Sequence, residues 1–205
     1  IREFAVARAN GRQLRANDGG LLDATWFNSG FWKYKTAAAQ MLVFDDRSAY
    51  GVMAQKKLIS KSYGQDIFSV GDGYRVVRVD IHENRDKVTT SPVKNKAKKK
   101  RRSPKQASAT WQVMTAIRAQ SMLLTDQFLF IAGTPDTVGK QDPWGAFEGR
   151  RGGVLEVFNK GDGTRLSDLR LSSPPIFDGM AAAHGNLFVT LTDGSLVCLS
   201  AETKP

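Results

Sequence analysis

Short apolar and β-branched runs recur along the chain, each bounded by Asp, Gly, Asn or Ser. Leu187 to Leu191 and Ser195 to Leu199 flank Thr192, Asp193 and Gly194, and an Asp-Gly pair between two apolar runs is a strong hairpin signal. Met41 to Phe44 and Ala49 to Met53 flank Asp45, Asp46, Arg47 and Ser48 in the same manner, and Ile67 to Val70 and Tyr74 to Ile81 flank Gly71, Asp72 and Gly73. The pattern predicts repeated antiparallel hairpins. No stretch sustains a 3.6-residue apolar stripe, and the best helical candidate, Thr110 to Leu124, reads equally as two strands. The expected class is all-β.

The runs also repeat. Met122, Leu129, Phe130 and Ile131 match Met180, Leu187, Phe188 and Val189, each pair 58 residues apart. Further on, Gly153, Leu155, Val157 and Phe158 match Gly194, Leu196, Cys198 and Leu199 at a spacing of 41. The change of spacing implies a 17-residue insertion between Gly133 and Gly152, an interval rich in turn residues: Thr134, Pro135, Asp136, Gly139, Asp142, Pro143, Gly145 and Gly149. The underlying period is therefore 41, close to the roughly 40 to 45 residues of a four-stranded propeller blade.

At this point the residues carry a family resemblance. The run from Gly153 through Val154, Leu155, Glu156, Val157, Phe158, Asn159, Lys160, Gly161, Asp162, Gly163 and Thr164 to Leu166 resembles the repeat of PQQ-like (pyrroloquinoline quinone) bacterial β-propellers. Asp193 to Thr203 is similar again, and Pro174 to Met180 resembles the innermost strand opening such a blade. The resemblance is closest over residues 111 to 203 and looser over 40 to 81. The family's repeat usually ends in a tryptophan that docks between blades, whereas here Leu166 and Ser167 stand nearby, marking a divergent member. The resemblance implies a quinoprotein-dehydrogenase-like propeller of about four blades in a single partial domain, residues 1–205. The chain is then expected to be the C-terminal portion of a seven- or eight-bladed ring, with a small four- or five-bladed ring as the alternative. It also implies a periplasmic or otherwise exported location. A first residue of Ile1 rather than Met fits a processed form or a fragment.

Charge changes the picture less than its total suggests. The net charge is +10, but seven lysines and two arginines without an acidic residue lie between Lys87 and Lys105, so the rest of the chain carries only +1. The insert, residues 87–106, with Lys98, Lys99, Lys100, Arg101 and Arg102 at its centre, reads as a solvated loop joining two strands. It holds no aromatic for base stacking, and nucleic acid is not the expected partner. No apolar run reaches the roughly 20 residues of a membrane helix. The single cysteine, Cys198, excludes an internal disulfide and, from its apolar surroundings, is expected to be buried.

Candidate chemistry is sparse. Asp80, His82, Asn84 and Asp86 alternate, which in a strand places four potential ligands on one face; solvent-side polarity gives the same pattern, so these are weak metal candidates. His184, before Gly185 and Asn186, is expected at a hairpin turn. No hydrolase elbow, phosphate loop or His-Glu-x-x-His is present. A quinone-dependent alcohol dehydrogenase of this family needs adjacent cysteines, which one cysteine cannot supply, and Trp26, Trp32, Trp111 and Trp144 are expected to pack between blades or anchor loops. Trp26, Phe27, Phe31 and Trp32 lie in an aromatic-dense stretch without clean alternation, expected to be a loop over one end of the sheets. With Trp144 and Phe147 of the later loop, residues 134–152, they form a candidate interaction rim.

Three functional classes follow. The first is a noncatalytic scaffold that binds a protein partner or the remaining blades of the same chain, with no cofactor. The second is part of a quinone-dependent oxidoreductase holding PQQ and calcium mostly outside this segment. The third, weaker, is anionic-polymer binding through the basic loop.

Overall fold

The computed structural model describes residues 41–54, 71–80 and 109–200, together with the strand segments 15–16, 31–34 and 37–39. These residues form strands and turns, with no α-helix among them. The first sheet holds β1 (Arg15–Ala16), β2 (Phe31–Tyr34) and β3 (Ala37–Ala39). The second holds β4 (Leu42–Phe44), β5 (Ser48–Ala54), β6 (Tyr74–Asp80) and β7 (Trp111–Thr115). The third holds β8 (Ile117–Leu124), β9 (Phe128–Pro135), β10 (Gly153–Asn159) and β11 (Arg165–Leu171). The fourth holds β12 (Pro175–Ala183), β13 (Asn186–Leu191) and β14 (Leu196–Ser200). Each is an antiparallel meander of chain-consecutive strands.

Turn chemistry closes these hairpins. The Asp45 carboxylate accepts from the backbone N–H groups of Arg47 and Ser48, an Asx turn that leads β4 into β5. His184 and Gly185 form a two-residue turn with φ of 51° and 74°, bridging the pair Ala183↔Asn186. Positive φ at both central positions gives the turn the twist that neighbouring strands need. Thr110 to Leu124 is two strands, and Ala116 carries the chain from one sheet to the next. Of the hairpin expected across Gly71–Gly73, Ile67 to Val70 lie outside the described residues; β6 is paired by β5 on one edge and β7 on the other.

The sequence repeat is a repeat of register. The pairs Phe44↔Ala49, Leu124↔Leu129 and Ala182↔Leu187 stand at equivalent positions beside the first turn of three successive sheets. One step inward, a row runs across each sheet: Val43, Tyr50, Arg78 and Trp111 in the second, Leu123, Phe130, Val157 and Ser167 in the third, and Ala181, Phe188 and Cys198 in the fourth. The insertion is located by the same means. Twenty-two residues separate Ala132 from its partner Leu155, against five between Thr190 and Leu196.

The sheets stack, and two cores fill the gaps between them. Between the second and third, Tyr50, Val52, Val76, Ile117, Met122, Leu129, Ile131 and Phe158 are buried together. Between the third and fourth lie Ala132, Leu155, Leu171, Leu187, Val189 and Leu191. The third sheet is therefore covered on both faces, which is why β9 reads as a continuous apolar run and not an alternating one. In β8 a register shift between Ala119 and Ser121 lets Ile117 and Ala119, then Met122 and Leu124, all face the first core. Full burial of a side chain such as Phe158 contributes about 1.5 to 3 kcal/mol.

Cys198 is exposed, against expectation. It lies on β14, whose inward-alternating residues are Val197 and Leu199, so the thiol points to the face of the fourth sheet that no described sheet covers. Phe31 and Trp32 belong to β2, paired with β1 and β3, and are not in a loop.

Candidate functional site

Antiparallel meanders give the molecule two ends. At one end lie the Gly71–Gly73 turn, Ala116, the inserted loop and the Thr192–Ser195 turn. Asp136 organises this end. Its buried carboxylate accepts from the backbone N–H groups of Gly71 and Gly73 at 3.1 and 2.9 Å and pairs with Arg118 at 3.2 Å, tying the loop to both sheets. Asp142 holds Arg150 through two hydrogen bonds, and Glu148 pairs with the same guanidinium. Beside Arg150 the Asp142 carboxyl is held below its ordinary value. One helical turn, from Glu148 N–H to the Trp144 carbonyl, buries Ala146 and turns the aromatics outward.

Trp144 is 60% exposed and Phe147 48%, and the rings meet edge to face with centroids 6.2 Å apart. The Arg118 guanidinium stands 4.7 Å from the Phe147 ring centre, a cation over the negative face of the ring. Beside them a groove of about 350 Å³ is lined by Phe147, Arg150, Gln120, Thr134, Pro174 and Thr192. Gln120 Oε1 is itself buried and has no hydrogen-bond partner among the described residues.

At the opposite end, polar fasteners join the second and third sheets. The Lys160 carbonyl accepts from Trp111 Nε1 at 3.1 Å and from Tyr50 Oη at 3.5 Å, and Arg78 donates to the Gly161 carbonyl at 2.9 Å. The Lys160 ammonium pairs with Asp45 at 3.0 Å. Burial works to raise the Asp45 carboxyl, but the hydrogen bonds from Arg47 N–H, the Lys160 ammonium and Ser48 N–H outweigh it and hold the group below its ordinary value. Deeper between the sheets, Glu156 accepts from Thr115 Oγ1 at 2.7 Å and from Arg165 at 2.9 Å.

Of the residues singled out by sequence, Trp144 and Phe147 are brought together at an exposed rim. Trp26, Phe27, His82, Asn84, Asp86, Lys98, Lys99, Lys100, Arg101 and Arg102 lie outside the described residues. The basic stretch falls between Asp80 and Trp111, anchors at the end opposite the rim. Asp80 itself pairs with Arg78 at 3.2 Å and accepts from Ser48 Oγ at 3.1 Å. Among the described residues no group of three or more His, Cys, Asp or Glu side chains is placed to hold a metal ion. Trp111 packs between two sheets against Tyr50 and Gly163. Sequence reasoning passed over Asp136, Glu156 and Gln120, since nothing local distinguishes a buried fastener from a surface polar residue.

No helix among the described residues is long and apolar enough to cross a membrane. Comparison with protein-family models, with curated proteins and with solved structures yields no match to the chain.

Proposed function

We propose that this chain forms blades of a PQQ-like β-propeller and serves as a noncatalytic binding and assembly scaffold within a larger, exported protein. Support for the propeller reading comes from three successive meanders in common register, from β8 lying against both β4 and β12, and from an indole wedged between neighbouring sheets. The binding part rests on one observation: of two register-equivalent hairpins, one is lengthened by 17 residues, and the extra segment presents Trp144 and Phe147 to solvent on a loop pinned by Asp136 and Asp142. Rigid aromatics on an anchored loop bury much area at little cost in entropy, as binding hot spots do.

The test compares the wild-type protein with the Trp144→Ala/Phe147→Ala variant in cross-linking and co-purification from the native cell. The variant is expected to keep its melting temperature within a few degrees, because both side chains are exposed, and to lose its protein partner by at least tenfold. Equal capture by both proteins, or saturable uptake of PQQ with calcium near one equivalent, overturns the reading.

A further inference from the structure

The open groove at the rim offers apolar faces and hydrogen-bond donors, and its charges are spent on each other. Phe147 and Pro174 give it apolar walls, and Trp144 extends the Phe147 side edge to face. Glu148 and Arg150, the charged side chains on its lining, are paired. A charged ligand would have to break that ion pair to be held by its charge.

Ser173 Oγ and Thr192 Oγ1 also line the groove and stand 2.7 Å apart. One hydroxyl donates to the other, and the accepting one keeps its own hydrogen for an outside acceptor. The Trp144 indole N–H, a donor only, has no acceptor among the described residues. Of the carbonyl and carboxylate side chains on the lining, Glu148 is held by Arg150 and Gln120 Oε1 is buried. The groove therefore suits a neutral ligand with apolar rings, several acceptors and few donors.

A proline-rich segment has that chemistry. Each proline contributes a carbonyl and an apolar ring but no N–H, and the polyproline II helix leaves its carbonyls free of internal hydrogen bonds. A saccharide, the other natural partner of an exposed tryptophan, brings a donor on every hydroxyl and would leave most of them unmatched here. We infer that the rim groove binds a proline-rich segment of a partner protein in the polyproline II conformation. Its prolyl rings lie against Trp144 and Phe147, and its carbonyls accept from the Trp144 N–H and the Ser173–Thr192 hydroxyl pair. Such segments dock in open, aromatic-lined grooves because they arrive already extended. The loop is likewise fixed in advance by Asp136 and Asp142, so little ordering remains on either side. This inference rests on the reading of the rim as a protein-binding surface.

The experiment titrates the full chain with a blocked proline decamer, a blocked Gly-Ser decamer and maltohexaose, followed by tryptophan fluorescence and calorimetry. The proline decamer is expected to bind saturably near one equivalent and at least tenfold more tightly than either other probe. Trp144→Ala should weaken it at least tenfold. Trp144→Phe, which keeps a ring and removes the N–H, should weaken it roughly fivefold, the worth of one hydrogen bond. Both positions are solvent-facing, and unchanged melting temperatures confirm that the variants fold. Absence of saturable decamer binding overturns the inference, as does tighter binding of maltohexaose or decamer binding that Trp144→Ala leaves intact. If the decamer fails while Trp144→Ala/Phe147→Ala still loses its cellular partner, the ligand class falls and the rim stands. If the decamer binds at Trp144 while that double variant captures the partner as well as wild type, the groove stands and the scaffold reading falls.

Discussion

Gly163 and Trp111 show how one contact can join two sheets. The glycine has φ of 79°, and a Cβ placed on it would stand 2.7 Å from the indole ring. Gly163→Ala is expected to cost about 2 kcal/mol, roughly half from the left-handed backbone and half from the clash. In a Trp111→Ala background the clash disappears, and the same change should cost only about 1 kcal/mol. Urea unfolding of the four proteins in the cycle checks this, and an equal cost in both backgrounds would remove the indole from the account.

At the scale of elements, the pairing of a strand is set by what fastens its ends. Asp136, at the end of β9, takes both N–H groups of the turn that precedes β6. Asp136→Ala would leave those donors and the largely buried Arg118 without their carboxylate, at an expected cost of about 3 kcal/mol. Chemical denaturation measures the loss, and hydrogen exchange at Gly71 and Gly73 should accelerate more than at the core amides of β9. Uniform acceleration would mean that Asp136 acts on global stability alone.

For the whole molecule, the Asp45 to Lys160 pair fastens the second sheet to the third and couples their packing to pH. The Asp45 carboxyl lies below its ordinary value of 3.8 in the folded protein, so its contribution is fully present above that value. It declines as pH falls below 3.8 and is gone once pH has passed the lower folded value. With both side chains partly solvated, the pair contributes on the order of 1 kcal/mol. Asp45→Asn should therefore destabilise the protein at pH 7, and the gap to the wild type should shrink steadily as pH is lowered below 3.8; a gap that does not shrink in acid would assign the effect to the turn and not to the charge.

Hairpins and their repetition were legible along the chain because both are local. Leu129 to Ile131 and Leu187 to Val189 carry matching apolar side chains to the same side of equivalent turns, and Asp, Gly and His-Gly sequences close those turns by their own backbone preferences. The insertion was legible as a change of spacing, and the rim as Trp144 and Phe147 among turn residues. What required the tertiary structure was everything set by a neighbouring sheet. Cys198 is exposed because no described sheet covers its face of β14, although its sequence surroundings are apolar. Thr115 lies 41 residues from Glu156 and Gly71 lies 65 from Asp136, beyond any local signal. Period and turn chemistry act within a few residues and are written in the chain, whereas burial depends on which surface arrives opposite, and only packing decides that.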